Sequence, residues 1–146
     1  MLTTISLPDV SVWLALSAAH HPHRQAAKAW LDTQPEGSAA FFRITYLGLL
    51  RLLTSRSVIL RNGLTVLEGF AIDRTLRTDR RILFTPEPPE IEATVERLMR
   101  MLGTGASSWT DAYLGAFCQQ AGLTLVTFDR GFQRGAELRL DLLTGA

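Results

Sequence analysis

The chain has 146 residues, of which 47% are hydrophobic and 20% charged, with a formal net charge of +1. These values suit one domain, residues 1–146, large enough to bury a real core; they exclude a disordered chain, and so small a net charge does not advertise a nucleic-acid binder. No apolar run approaches the roughly 18 residues needed to cross a bilayer. The N-terminus carries no basic region ahead of its apolar stretch, which Asp9 interrupts, so no signal peptide is expected.

In chain order, residues 4–8 read as a short strand and about 10–18 as a helix with Val10, Trp13 and Leu14 on one face. His20-His21-Pro22-His23 forms a turn into a helix at about 23–34, whose apolar stripe is Ala26, Ala27, Trp30 and Leu31. Gln34-Pro35-Glu36-Gly37 ends it, and Ala39 to Arg43 predicts a second strand. A helix at about 45–54 follows, apolar at Leu47, Leu50 and Leu53; Asn62-Gly63 is a turn before a helix at about 65–78. Ile82-Leu83-Phe84 is a third strand, closed by Pro86, Pro88 and Pro89. The next helix carries Ile91, Val95, Leu98, Met99 and Leu102 as one stripe. Residues 103–108 read as a flexible link into a helix at about 110–121, with Gly122 placed to cap it. Leu123 to Phe128 is the most strand-like run in the chain, and 138–143 a last candidate strand. Strands alternating with helices predict an α/β fold with a mostly parallel central sheet and helices on both faces.

In such a sheet, ligands bind beyond the carboxyl ends of the strands, near the point where the strand order reverses. Asp9 and Asp129 end two predicted strands, and Asp111 opens a helix that leads into one of them. Carboxylates gathered on one edge repel one another unless a hard cation such as Mg²⁺ sits between them. Each acid also has an ordinary alternative: Asp9 as a helix N-cap, Asp111 as a complement to the helix dipole, Asp129 as an Asx-turn. Three such caps, however, need not fall on the same edge.

Asp9-Val10-Ser11-Val12-Trp13-Leu14-Ala15-Leu16 resembles the opening motif of PIN-domain toxins of the VapC family. So do Trp109-Thr110-Asp111-Ala112-Tyr113-Leu114-Gly115-Ala116-Phe117 and Leu125-Val126-Thr127-Phe128-Asp129-Arg130-Gly131-Phe132. Arg43 to Thr54 is similar to the middle block of one VapC branch. The resemblance implies a three-layer PIN-like fold and an RNA phosphodiesterase that uses Mg²⁺ or Mn²⁺ and leaves 5′-phosphate and 3′-hydroxyl ends. It also implies a cognate antitoxin that blocks the active site, and a homodimer. Asp9 and Asp111 would be the principal metal ligands, with Asp129 a further acid at the site. The sequence departs from the family in one respect. Most PIN nucleases carry a Glu early in the helix after the second strand, whereas the matching position here is Gly48 or a close neighbour. No acid occurs between Glu36 and Glu68. Either of those could substitute only if the fold brought it near.

Other residues carry two readings each. Arg43 and Arg51 could hold a scissile phosphate or a partner's carboxylate, or be solvated. Thr127, two residues before Asp129, could orient that acid by hydrogen bonding. Trp109 is the tryptophan expected to touch substrate, from within the flexible link, while Trp13 and Trp30 lie on apolar stripes as core or dimer contacts. His20, His21 and His23 could bind a transition metal, but with no carboxylate or Cys beside them they read as solvated helix-start residues. The basic run Arg74 to Arg81 reads as a solvated face that complements the helix dipole, or as a track for an RNA backbone.

Cys118, the only cysteine, precludes an internal disulfide and suggests a reducing, cytoplasmic setting; mid-helix beside Phe117, it reads as a buried, inert thiol. Lys28 is the only lysine among fifteen Lys and Arg residues. Arginine forks match phosphate geometry, although codon bias is the favoured account of the ratio. The expected function is a metal-dependent endoribonuclease toxin; the alternative is a catalytically weakened PIN domain that binds RNA or antitoxin. A phospho-receiver is disfavoured, because the first loop lacks paired acids and no lysine follows a late strand.

Overall fold

The computed structural model describes residues 4–56, 62–103, 108–134 and 137–145. Residues 104–107, the centre of the expected link, lie outside them. The strands are β1 (Ser6–Pro8), β2 (Ala39–Phe41), β3 (Ile82–Phe84), β4 (Thr124–Thr127) and β5 (Leu140–Leu142). The helices are α1 (Val10–Ser17), α2 (Arg24–Asp32), α3 (Arg43–Leu53), α4 (Val66–Thr78), α5 (Glu92–Leu102) and α6 (Ser108–Ala121), with a 3₁₀ turn at Arg130–Arg134 between β4 and β5. The strands form one sheet in the order β3-β2-β1-β4-β5, and every pair is parallel.

Parallel pairing requires a crossover between successive strands, and helices supply it on both faces. Side chains alternate across the sheet, so Ala39, Phe41 and Val126 join Val12, Trp13, Trp30, Leu31, Leu49 and Leu53 in one core layer beneath α1 to α3. Ile72 and Leu76 of α4 pack at its border. Leu7, Ala40 and Leu125 face the other way and meet Leu98, Met99, Ala112, Leu114 and Phe117 of α5 and α6. Cys118 is buried in this second layer, where loss of solvation drives its thiol well above the ordinary range.

From β1 the chain steps outward through β2 to β3, then crosses back over the opposite face to enter β4 beside β1. The strand order therefore reverses between β1 and β4. Register places Pro8 opposite Val126, so the residues that follow these strands emerge side by side.

Two details differ from the sequence reading. Helix α3 begins at Arg43, inside the expected strand, because Thr45 satisfies the helix start: its Oγ1 accepts from the Phe42 N–H at 3.2 Å and donates to the Phe42 carbonyl at 3.0 Å. Helix α6 begins by Ser108, which puts Trp109 in a helical turn rather than in a link. Gly122 caps α6 as expected, with φ +69 and the Leu123 N–H donating to the Cys118 carbonyl at 2.8 Å. Trp13 and Trp30 are core residues.

Candidate functional site

Asp9 is fixed before its side chain is considered. Its N–H donates to the Val126 carbonyl at 2.9 Å, tying it to β4. The Trp13 indole N–H donates to the Pro8 carbonyl at 3.1 Å, and the ring, fully buried, stands edge-on to Phe41 at 4.8 Å. Burial of a side chain at least as large as Leu or Phe holds this junction with roughly 1.5–3 kcal/mol of transfer free energy.

The Asp9 carboxylate N-caps α1. Oδ1 accepts from the Val12 N–H at 3.2 Å and from the Ser11 hydroxyl at 2.5 Å, while Oδ2 accepts from the Thr127 hydroxyl at 2.5 Å. Burial raises its pKa above the ordinary value, against the lowering effect of those donors. Thr127 is fully buried, and its Oγ1 also accepts from the Asp129 N–H at 2.9 Å. One hydroxyl thus joins the end of β1 to the turn after β4. Asp129 is exposed and starts the 3₁₀ turn, its Oδ1 accepting from the Gly131 N–H at 2.7 Å. The cap and Asx-turn roles foreseen for Asp9 and Asp129 are therefore present alongside the shared edge.

Asp111 lies half-buried in the first turn of α6. Its pKa is pushed up to about 6, by burial first and then by the negative charges of Asp129 and Asp9. Each acid comes from a different element, yet Asp111 senses both of the others. Among the described residues no Arg, Lys or His forms an ion pair with any of the three.

The donor set fits a hard cation in chemistry and in charge: oxygen only, net negative and uncompensated. It is not gathered into a finished cage. Among the described residues no three His, Cys, Asp or Glu side chains are close enough together to hold an ion.

A cleft of about 270 Å³ opens beside the acids, lined by Val10 of α1, Thr45, Gly48 and Arg51 of α3, and Thr110 and Leu114 of α6. Gly48 faces α1 directly: a Cβ there would stand 3.3 Å from the Val10 side chain, one residue from Asp9. The position is at the cleft and bears no carboxylate. Neither distant acid replaces it. Glu36 sits in the loop before β2, at the opposite edge of the sheet, 3.8 Å from Arg80. Glu68 closes the cap of α4 by accepting from the Thr65 N–H at 3.0 Å.

Arg51 lines the cleft, whereas Arg43, on another side of α3, packs its guanidinium over the Tyr46 and Phe84 rings. Trp109 is 66% exposed and borders a separate cavity of about 520 Å³ between α5 and α6, with Met99 and Tyr113. The basic run is largely neutralised: Arg77 pairs with Asp73, Arg80 with Glu36, and Arg81 with Asp79 and Asp32. His23, rather than being solvated, stacks on Phe128 at 4.7 Å, and its N–H donates to Nδ1 of His21 at 3.0 Å. Ser11 was missed from the sequence. The available signal was a hydroxyl two residues after an N-cap Asp, within reach of its carboxylate.

The PIN domain family pattern matches residues 6–138 of the chain. Ribonuclease VapC41 of Mycobacterium tuberculosis is 40% identical over 141 residues, spanning 92% of this chain and 97% of that protein. This chain belongs to the PIN-domain proteins of the VapC family. Several solved structures share its fold at lower identity. VapBC2 from Rickettsia felis, bound to a promoter DNA fragment, superposes with a TM-score of 0.68 at 12% identity, covering 97% of this chain and all of that one. VapC20 of Mycobacterium tuberculosis, a toxin that cleaves the sarcin–ricin loop, gives 0.67 at 14% identity over 94% and 98%. A toxin–antitoxin complex from Klebsiella pneumoniae gives 0.61 at 18% identity over 87% and 89%. In this PIN domain the three aspartates and Gly48 all lie at the reversal of the sheet, where the fold class binds its ligands.

Proposed function

We propose that this protein is an Mg²⁺- or Mn²⁺-dependent endoribonuclease toxin of a toxin–antitoxin pair, acting as a single PIN domain, residues 1–146, in the cytoplasm. The observation that carries the reading is Asp111, a half-buried carboxylate near two others with no cationic partner among the described residues; its pKa is raised by burial first and then by the charges of Asp129 and Asp9. Membership of a family that includes a ribonuclease supports it.

Asp9 and Asp111 would hold the cation, and Asp129 would complete its shell directly or through water. When bound, the ion would supply a Lewis acid that draws charge from the phosphodiester and activates water for in-line attack. Ser11 and Thr127 aim the Asp9 oxygens, and Thr127 also fixes the backbone of Asp129. Arg51, beside the cleft, would bind the scissile phosphate. Trp109, in the first turn of α6 and facing the α5 cavity, would contact RNA or a partner rather than the reacting atoms. A cognate antitoxin would cover the site, and the protein would act as a homodimer.

RNA cleavage in Mg²⁺ or Mn²⁺, wild type against Asp111→Asn, tests this reading. Loss of cleavage in the variant is expected, and undiminished cleavage would sink the assignment. Gly48 motivates a second reading, a PIN domain that binds RNA or antitoxin without cutting. Such a protein would hold RNA in the absence of divalent ions and never cleave it.

A further inference from the structure

Resting on that ribonuclease reading, a second feature of the same sheet edge lies outside the cleft. Phe41 of β2 stands opposite Phe84 of β3, and Ser6 of β1 opposite Ala39 of β2, so Pro8, Phe41 and Phe84 end their strands at one level. Beyond Phe84 and the start of α3, four side chains form a layered patch. The Arg43 guanidinium lies 5.3 Å from the Tyr46 ring centre and 5.1 Å from that of Phe84. The Arg77 guanidinium lies 5.1 Å and 4.7 Å from the same two rings.

The two arginines differ in one respect. Arg77 is pinned by Asp73, its Nε donating to both carboxylate oxygens at 3.0 Å. That accounts for its place as a structural fastening. Arg43 is exposed and has no carboxylate within ion-pair distance among the described residues. It packs over the rings and is nonetheless exposed, so part of its side chain stays accessible to solvent. A planar cation backed by aromatic rings suits a nucleotide: the base stacks on the guanidinium plane and the phosphate accepts from its edge.

We propose that Arg43, Tyr46, Phe84 and Arg77 form an RNA subsite on the carboxyl edge of the sheet, two strands from Asp9. Neighbouring strands lie about 4.8 Å apart, so the strand ends at Phe84 and Asp9 are roughly 10 Å apart. The subsite therefore meets a single-stranded RNA within a few nucleotides of the scissile phosphate. Its contribution is affinity and a preference for a stackable base at that position.

Binding of a fluorescein-labelled single-stranded RNA of about ten nucleotides, measured by anisotropy in EDTA with an Asp111→Asn background, tests it. Arg43→Ala should weaken binding about tenfold, the scale of one lost stacking contact. Arg43→Lys, which keeps the charge without the plane, should recover only part of the loss and serves as the folded control. A 5-iodouracil stepped along the RNA should crosslink to Tyr46 or Phe84 when placed within a few nucleotides of the cleavage point. Unchanged affinity in Arg43→Ala, full rescue by lysine, or crosslinks confined to other residues would each overturn the subsite. If the unmutated protein cleaves RNA while Arg43→Ala binds normally, the subsite alone fails. If it neither binds nor cleaves RNA, the ribonuclease reading fails and the subsite with it. A patch that instead takes a carboxylate of a protein partner would leave RNA affinity untouched, which again contradicts the proposal.

Discussion

Asp111→Asn should stabilise the metal-free protein at neutral pH while abolishing cleavage. The folded-state pKa of Asp111 stands at about 6, above an ordinary value of 3.8. Folding therefore disfavours the ionised form: the contribution of this group is most favourable below pH 3.8 and is lost as pH rises through about 6. Taken at face value, about two units correspond to roughly 3 kcal/mol. The carboxylate is only half-buried, so solvent screening reduces this to about 1 kcal/mol. In a domain of this size that amounts to an increase of about 2–4 °C in Tm. Asparagine keeps the shape and removes the charge. Thermal unfolding in EDTA, followed by circular dichroism from pH 4 to pH 8, should show the two proteins together at pH 4. They should separate between about pH 4 and 7, with the variant more stable on the plateau. A variant less stable at pH 7, or a difference independent of pH, would refute the reasoning that burial and the neighbouring carboxylates disfavour ionised Asp111.

Two further substitutions address the same site. Thr127→Val removes the hydroxyl that donates to Asp9 and accepts from the Asp129 N–H; with a buried charged acceptor involved, denaturant unfolding should show a loss of about 2–4 kcal/mol, and Thr127→Ser should restore most of it. Gly48→Glu places a fourth carboxylate beside Val10, at the cost of a 3.3 Å contact that α1 must relieve; calorimetry should show Mn²⁺ affinity increased on the order of tenfold, in keeping with dependence on ligand charge.

Much of this architecture was legible because apolar runs alternate with Pro, Gly and Asn breakers. Ile82 to Phe84 and Leu123 to Phe128 stand out for that reason, and parallel order follows from the helices between them. The three aspartates could be assigned to one edge because each follows or precedes a strand-like run. What escaped depended on particular side-chain contacts, several of them between distant segments. Helix α3 starts early because Thr45 caps it, a local hydrogen bond that propensity does not reveal. Arg43 and Arg51 look alike in sequence, yet helical geometry sends one to Phe84 and the other to the cleft. The run from Arg74 to Arg81 reads as open positive charge until Asp32 and Glu36, about forty to fifty residues earlier, come alongside it. Trp109 belongs to α6, and its outlook onto the α5 groove follows from the packing of those two helices. Ser11 acquires its role only because the N-cap geometry of Asp9 turns a carboxylate oxygen toward it.

Titration of Mn²⁺ into the metal-free protein at pH 7.5, read by calorimetry and by the loss of the free-ion paramagnetic resonance signal, tests the central claim most directly. The account expects saturable binding at the aspartate site, and loss of that binding in both Asp9→Asn and Asp111→Asn. An absence of Mn²⁺ binding in the unmutated protein, or binding that survives both substitutions, would contradict it.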